Sequence, residues 1–194
     1  MPRLTDDTDF DALYRRDSDP FAVGSSWYER RKEQILLAGL TRRHYRFAWD
    51  CAAGTGHLAH QLAARCDEVL ATDASPAAVE LAASLTCDQR PVRCAVSALP
   101  DVPVECRDAD LTVVAEVLYY LPEPARAAAI GALTDQSGEL VAVHWRHHPH
   151  DAHLSGAAVT DELGTSLTEH GWTSEVRHED TDFVLGAWCR EERR

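Results

Sequence analysis

One stretch constrains the fold more than any other: Phe47-Ala48-Trp49-Asp50-Cys51-Ala52-Ala53-Gly54-Thr55-Gly56-His57-Leu58-Ala59, where an apolar run ends in an acid, crosses a glycine-bearing turn and becomes helical. That order predicts a strand, a tight loop and a helix start. Glycine is needed where backbone takes positive φ or lies against a ligand, and a helix N-terminus presents free N–H groups to polar or anionic groups. Such a turn suits nucleotide-like ligands, although Gly-x-Gly after a strand is also compatible with a plain tight turn. A second acid sharpens the reading. Glu68-Val69-Leu70-Ala71-Thr72-Asp73 predicts the next strand, and an acid at its end can hold both ribose hydroxyls.

Loop chemistry separates the two nucleotide-binding families that share this geometry. A nicotinamide or flavin site cradles a pyrophosphate with glycines in a G-x-G-x-x-G/A pattern. Here the positions read Ala52, Gly54, Gly56 and then Ala59, with Asp50 at the strand end before the loop. That order resembles motif I of the class I S-adenosylmethionine-dependent methyltransferases, usually Asp/Glu-x-Gly-x-Gly-x-Gly, whose cofactor carries no phosphate. The chain departs from the pattern at Ala52, where the family has its first glycine; a methyl group there narrows the turn or shifts the backbone. The resemblance implies S-adenosyl-L-methionine as cofactor, held by Asp50, Ala52, Gly54 and Gly56 and by Asp73 with Ala74 after the second strand.

At 194 residues the chain is expected to form one domain with a full core. Its 45% hydrophobic and 26% charged residues are those of an ordinary globular protein. No apolar run approaches the roughly 20 residues of a membrane span, and the acidic N-terminus lacks the apolar core of a signal peptide, so a cytoplasmic protein without a membrane partner is expected. The formal net charge of −13 argues against a nucleic-acid partner, because a phosphate groove needs clustered basic side chains. A small cationic or neutral substrate fits better. Cys51, Cys66, Cys87, Cys94, Cys106 and Cys189 form no CxxC pair and read as reduced, with no metal role.

Residues 1–43 precede the motif strand as an N-terminal helical extension, and residues 44–194 form the core. Phe10, Leu13 and Tyr14 stand at helical spacing before a break at Asp17-Ser18-Asp19-Pro20. A second helix begins at a Ser25 or Ser26 cap and brings Trp27, Tyr28, Arg31 and Ile35 near one face. An aromatic pair beside arginine can cover the cofactor pocket, with Arg31 meeting the cofactor carboxylate; a packing helix with a solvated basic side is the plainer alternative. Residues 19–31 are then expected to act as a lid. Val92-Arg93-Cys94-Ala95-Val96 reads as the third strand, and the resemblance puts adenine near Ser97, without the acid the family often has there.

Residues 110–116 read as a fourth, buried parallel strand whose end carries Glu116, Tyr119 and Tyr120, where ligands collect in open α/β sheets. Pro122 and Pro124 open a helix, and residues 139–145 make the fifth strand. His144 at its end is a candidate general base, since an imidazole titrates near neutral pH. The tract His147, His148, His150 and His153 has the composition of a metal-binding run, but no metal is assigned to it. A helix is expected over about residues 160–170, followed by two alternating segments that pair to close the sheet.

These elements predict an α/β, Rossmann-like sheet of seven strands with helices on both faces and an antiparallel last strand, like the complete class I methyltransferase core. Residues 25–32, 116–121 and 141–146 look like the nodulation protein S (NodS-like) methyltransferases over roughly residues 9–190. That resemblance implies an S-adenosylmethionine-dependent enzyme acting on a small molecule, with N-methylation of an amine or amino sugar foremost, as in the family's namesake on a de-N-acetylated chitooligosaccharide, and O- or S-methylation as variants. Glu116, Tyr119 and His144 are then the candidate catalytic residues, and Trp27, Arg31, Ser97 and Glu116 further cofactor contacts. A cofactor-binding protein without transfer activity is the alternative; monomer and homodimer remain equally open.

Overall fold

The computed structural model describes residues 8–190. Seven strands, β1 (Tyr45–Cys51), β2 (Cys66–Asp73), β3 (Val92–Val96), β4 (Leu111–Ala115), β5 (Gly138–Trp145), β6 (Thr173–Glu179) and β7 (Phe183–Arg190), form one sheet in the order β3-β2-β1-β4-β5-β7-β6. The first five are parallel. β7 runs antiparallel to both of its neighbours, and its Phe183 stands opposite Trp145 of β5. The chain builds outward from β1 to β3 and then crosses back to β4, so the strand order reverses between β1 and β4. Ligands of open α/β sheets bind at the carboxyl ends of the strands beside such a reversal.

The described residues form six α-helices: α1 (Phe10–Arg16), α2 (Trp27–Gly39), α3 (His57–Leu62), α4 (Pro76–Leu85), α5 (Glu123–Thr134) and α6 (Gly156–Glu169), of which α2–α6 cover the sheet. Alternation along the strands feeds two cores. Trp49, Val114, Leu140 and Ala142 meet α5 and α6 through Ile130, Leu133, Val159 and Leu163. Val113, Val141, Val143 and Leu185 meet α2 and α3 through Leu36, Leu58 and Leu62. Burying such side chains stabilises by about 1.5–3 kcal/mol each relative to exposure. The sheet therefore presents its strand ends as a fixed platform. α2, although it precedes the motif strand, is part of this platform: Leu36 is buried against the sheet and Ser26 caps the helix by accepting from the Tyr28 N–H.

α1 instead lies across the top of the fold. Its Asp11 accepts hydrogen bonds from the Ser75 hydroxyl at 2.8 Å and the Ala77 N–H at 2.9 Å at the start of α4, and Phe10 packs edge-on against Tyr120 at 5.0 Å. Thr8 donates to Asp151 at 3.0 Å on the loop after β5.

One boundary differs from the sequence expectation. The last helix starts at Gly156, four residues before residue 160, because Ser155 caps it and the amides of Gly156 and Ala157 bond to the carbonyls of His147 and Arg146 at the end of β5. A side chain at Gly156 would run into the Trp145 carbonyl, which is why glycine stands inside this helix start. The histidine tract between them serves the same junction. His147 and His148 bond through Nε2 to the carbonyl oxygens of Thr181 and Ala152, each at 2.8 Å.

Candidate active site

A cavity of about 630 Å³ opens at the carboxyl ends of β1, β2, β4 and β5, beneath α1 and the connection that follows it. The turn after β1 shapes its floor. Ala52, Gly54 and Gly56 all take positive φ, at 65°, 54° and 81°. The Ala53 N–H bonds to the Thr72 carbonyl at 2.8 Å, and the Gly54 N–H to one oxygen of Asp73 at 2.9 Å. The other Asp73 oxygen accepts from the Ser75 N–H at 2.9 Å. One carboxylate thus ties the first turn to the start of α4 and still faces the cavity.

Ala52 occupies a conformation that costs an L-residue roughly 1–2 kcal/mol. The motif's departure from glycine is therefore strain held in the folded turn. Ala52→Gly is expected to remove that strain, offset by the greater freedom of glycine in the unfolded chain, for a net gain of about 0.5 kcal/mol. A raised denaturant midpoint, with ligand binding at least as tight as the parent's, is the expected reading; weaker binding would show a turn built around the methyl group.

The wall is strongly acidic. Asp19, Glu29, Glu33, Asp50, Asp73, Asp101, Glu116 and Asp151 line the cavity with Lys32 as the one lysine or arginine among the described residues. Asp50 is 1% exposed, and neither of its carboxylate oxygens has a hydrogen-bond partner. Burial, then the charges of Asp73 and Glu33, push it up to about 7. Burial and the neighbouring Glu29 likewise raise Glu33 to about 7.

At the other end of the cavity a polar knot surrounds Glu116, itself at φ 55° immediately after β4. Positive φ at a non-glycine residue persists only where its surroundings hold it. Here one carboxylate oxygen accepts from Lys32 Nζ at 2.5 Å, and the other accepts from the Tyr119 hydroxyl at 2.5 Å and the Trp145 N–H at 2.8 Å. Lys32 also meets Glu29 at 2.8 Å. Burial alone would raise the Glu116 pKa, but the Lys32 charge and these donors bring it below the usual range. The result is an ionised carboxylate clasped in place.

Asp50, Ala52, Gly54, Asp73, Ala74, Ser97, Glu116 and Tyr119 all line the cavity, while Gly56 acts one step back by letting the turn pack against α4. Three further expected residues, Trp27, Arg31 and His144, are also off the wall. Trp27 is 69% exposed, and Arg31 beside it is taken by Asp180 at 2.5 Å and lies over the Phe183 ring. The helix face that does reach the cavity carries Tyr28, Glu29, Lys32 and Glu33. His144 points to the opposite side of the sheet, fully buried, with Nδ1 on the Thr160 hydroxyl at 3.0 Å. Burial lowers its pKa to about 4, so it is neutral and sits behind Tyr119, ring centroids 5.5 Å apart. Its neighbour Trp145 faces the cavity instead. Asp101 supplies an acid near Ser97 that the sequence placed nowhere; the only signal was the turn at Pro100, which folds residue 101 back onto the wall.

Residues 48–136 match the family described as a methyltransferase domain. A crystal structure from Pseudomonas syringae, provisionally assigned as a methyltransferase, is 34% identical over 85% of this chain and 100% of that one, with a TM-score of 0.73. The N-methyltransferase NodS from Bradyrhizobium japonicum WM9, solved with S-adenosyl-L-homocysteine, is 23% identical over 96% of this chain and 100% of that one, with a TM-score of 0.79, a likeness of fold. No curated protein matches the chain in sequence. The seven-stranded sheet, the acid-and-glycine turn at the end of β1 and the identity to the Pseudomonas protein agree: the chain belongs to the class I S-adenosylmethionine-dependent methyltransferases.

Proposed function

We propose that the chain methylates an amine of a small molecule, as the NodS-like resemblance implies. The observation that carries this reading is the wall itself, eight acidic residues against one lysine. A concave site of one sign concentrates ligands of the other, and an amine arrives as a cation near neutral pH. NodS, which shares the fold, is an N-methyltransferase.

S-adenosylmethionine supplies an electrophilic methyl group on a sulfonium. Everything else falls to the chain's own groups. The residues present fit such a cofactor: Asp73 keeps lone pairs free toward the cavity for vicinal hydroxyls, the positive-φ turn at Ala52 and Gly54 brings backbone close, and Asp50 offers two unpartnered acceptors to an ammonium group. Ser97, with Asp101 beside it on the wall, suits the base. Trp27 and Arg31 have no part in this reading, since they lie off the wall; the cover is α1 with residues 17–26, which excludes water from above.

Transfer to an amine needs nitrogen, methyl and sulfur in line, so positioning is the main task of the protein. Glu116 and Tyr119 do this at the acceptor end. A carboxylate held ionised by Lys32 is a weak base but a good acceptor for an ammonium N–H, so Glu116 orients the substrate and the proton leaves to water. His144 braces the Tyr119 ring from behind. No described helix is long and apolar enough to cross a membrane.

Two measurements test the assignment together. Calorimetry with S-adenosyl-L-homocysteine should show binding, weakened by about 2 kcal/mol in Asp73→Ala, the loss expected for hydrogen bonds to a charged group. Intact-mass screening of amines, amino sugars, phenols and thiols with S-adenosylmethionine should show a methyl-sized gain on an amine. Gains confined to phenols or thiols would overturn the amine, and binding without any methylated acceptor would favour the non-transferring alternative.

A further inference from the structure

Asp50 is the one cavity-lining carboxylate with both oxygens buried and unpartnered, an arrangement that ordinarily costs a great deal and survives only with a purpose. A neighbouring backbone or arginine does not relieve it. The charged groups that act on it are of the same sign: Asp73 from β2 and Glu33 from α2. Glu33 faces the same cavity, one helical turn beyond Glu29, and has Lys32 beside it on the helix; Lys32 itself is already held by Glu29 and Glu116. His57 at the start of α3 and Tyr14 of α1 line the same cavity, and neither adds a cation: burial lowers the His57 pKa, and burial keeps the proton on the Tyr14 phenol.

We propose that Glu33, presented by α2, forms with Asp50 a two-carboxylate cradle for the ammonium group of the cofactor's amino-acid arm, and that the pair releases a proton to solvent when that cation enters. The proposal rests on the cofactor-site reading above and adds to it a residue from outside the motif loop and a proton stoichiometry. Buried Asp50 and half-buried Glu33 face the same cavity with like charge, so the pair favours keeping one proton while no cation is present. An ammonium group placed against both favours the doubly ionised form, so one N–H···O contact to each carboxylate replaces the lost O–H, and the proton passes to water. The sign follows: the cation binds the ionised pair, so affinity rises with pH through about 7, where both groups titrate, and levels off above.

The test uses the full chain and two ligands. S-adenosyl-L-homocysteine carries the ammonium group; 5′-methylthioadenosine keeps adenine, ribose and sulfur but lacks the amino-acid arm. Calorimetry at pH 7 in phosphate and in Tris, buffers of different protonation enthalpy, should give different apparent enthalpies for the first ligand and equal ones for the second. Glu33→Gln should weaken S-adenosyl-L-homocysteine about tenfold, as for one charged hydrogen bond, reduce its buffer dependence and leave 5′-methylthioadenosine unchanged. Unchanged homocysteine-ligand affinity in Glu33→Gln, equal loss for both ligands, or buffer-independent enthalpies in the parent would overturn the cradle while leaving the cofactor site standing. A parent protein that binds neither ligand would overturn the site reading and the cradle with it.

Discussion

Replacing Gly56 by alanine is expected to cost about 2–4 kcal/mol of stability, the sum of a positive-φ penalty and an overpacked contact. The penalty arises because Gly56 sits at φ 81° as the cap of α3. The contact arises because an added methyl group would stand 2.8 Å from the Ala82 side chain and 2.9 Å from its backbone, and backbone yields less readily than a flexible side chain. α3 and α4 would have to move apart, drawing the motif turn away from Asp73. Urea unfolding should show a lower midpoint at similar slope, and binding of S-adenosyl-L-homocysteine should fall along with it. The comparison with Ala52 is instructive. Both positions need the left-handed region, but only Gly56 is also packed against a neighbouring helix, so the chain tolerates a methyl group at the first and not at the second. A Gly56→Ala protein as stable as the parent would mean that the α3–α4 contact is soft.

The turn was legible in the sequence because its requirements are local. Strand, acid, positive-φ residues and helix start follow one another within residues 47–59, and a second acid at the next strand end repeats the pattern. The seven strands were legible for the same reason, since each announces itself by a short apolar run between turn signals; their arrangement in one sheet came from the family resemblance. Side-chain direction was harder to read. On α2 the aromatic residues Trp27 and Tyr28 suggested the inward face; Tyr28 does reach the cavity, but Trp27 does not, and beside Tyr28 the wall is built by Glu29, Lys32 and Glu33, charged residues that in most helices mark the solvent side. Only the tertiary partner, Glu116 from 84 positions away, explains why Lys32 is buried. On β5 the choice between His144 and Trp145 depended on which parity of the strand faces α2, and that is set by the register Val143 and Trp145 share with Leu185 and Phe183. Residue type singled out His144, while parity turns Trp145 toward the cavity.

Lys32 therefore carries the other large expected effect. Its side chain is 6% exposed and its ammonium group is shared between Glu29 and Glu116, whose side chains are 13% and 26% exposed. Removing one member of a buried ion pair is worth about 3–5 kcal/mol, chiefly because the remaining charge is stranded; with Glu116 facing the cavity and partly reached by water, Lys32→Met is expected at the low end, about 3 kcal/mol at pH 7. The pH dependence separates this cause from lost packing. In the parent, Glu116 has its pKa depressed, so its contribution is present above the unfolded value of about 4.3 and is lost as pH falls through the folded value. Without Lys32, burial dominates and the carboxyl prefers its proton, so the variant is penalised where the parent gains. The gap between the two proteins should narrow as pH falls from 7 toward 4, because protonated Glu116 no longer needs the lysine. Urea unfolding at both pH values reads the gap directly. A gap of the same size at pH 4 would assign the loss to the lysine's packed methylene chain. Methyl transfer gives the second readout: a Glu116 no longer held ionised should lose its grip on an ammonium substrate, raising the KM for the acceptor with pH-dependent severity. A KM unchanged from the parent would remove Glu116 from the acceptor site.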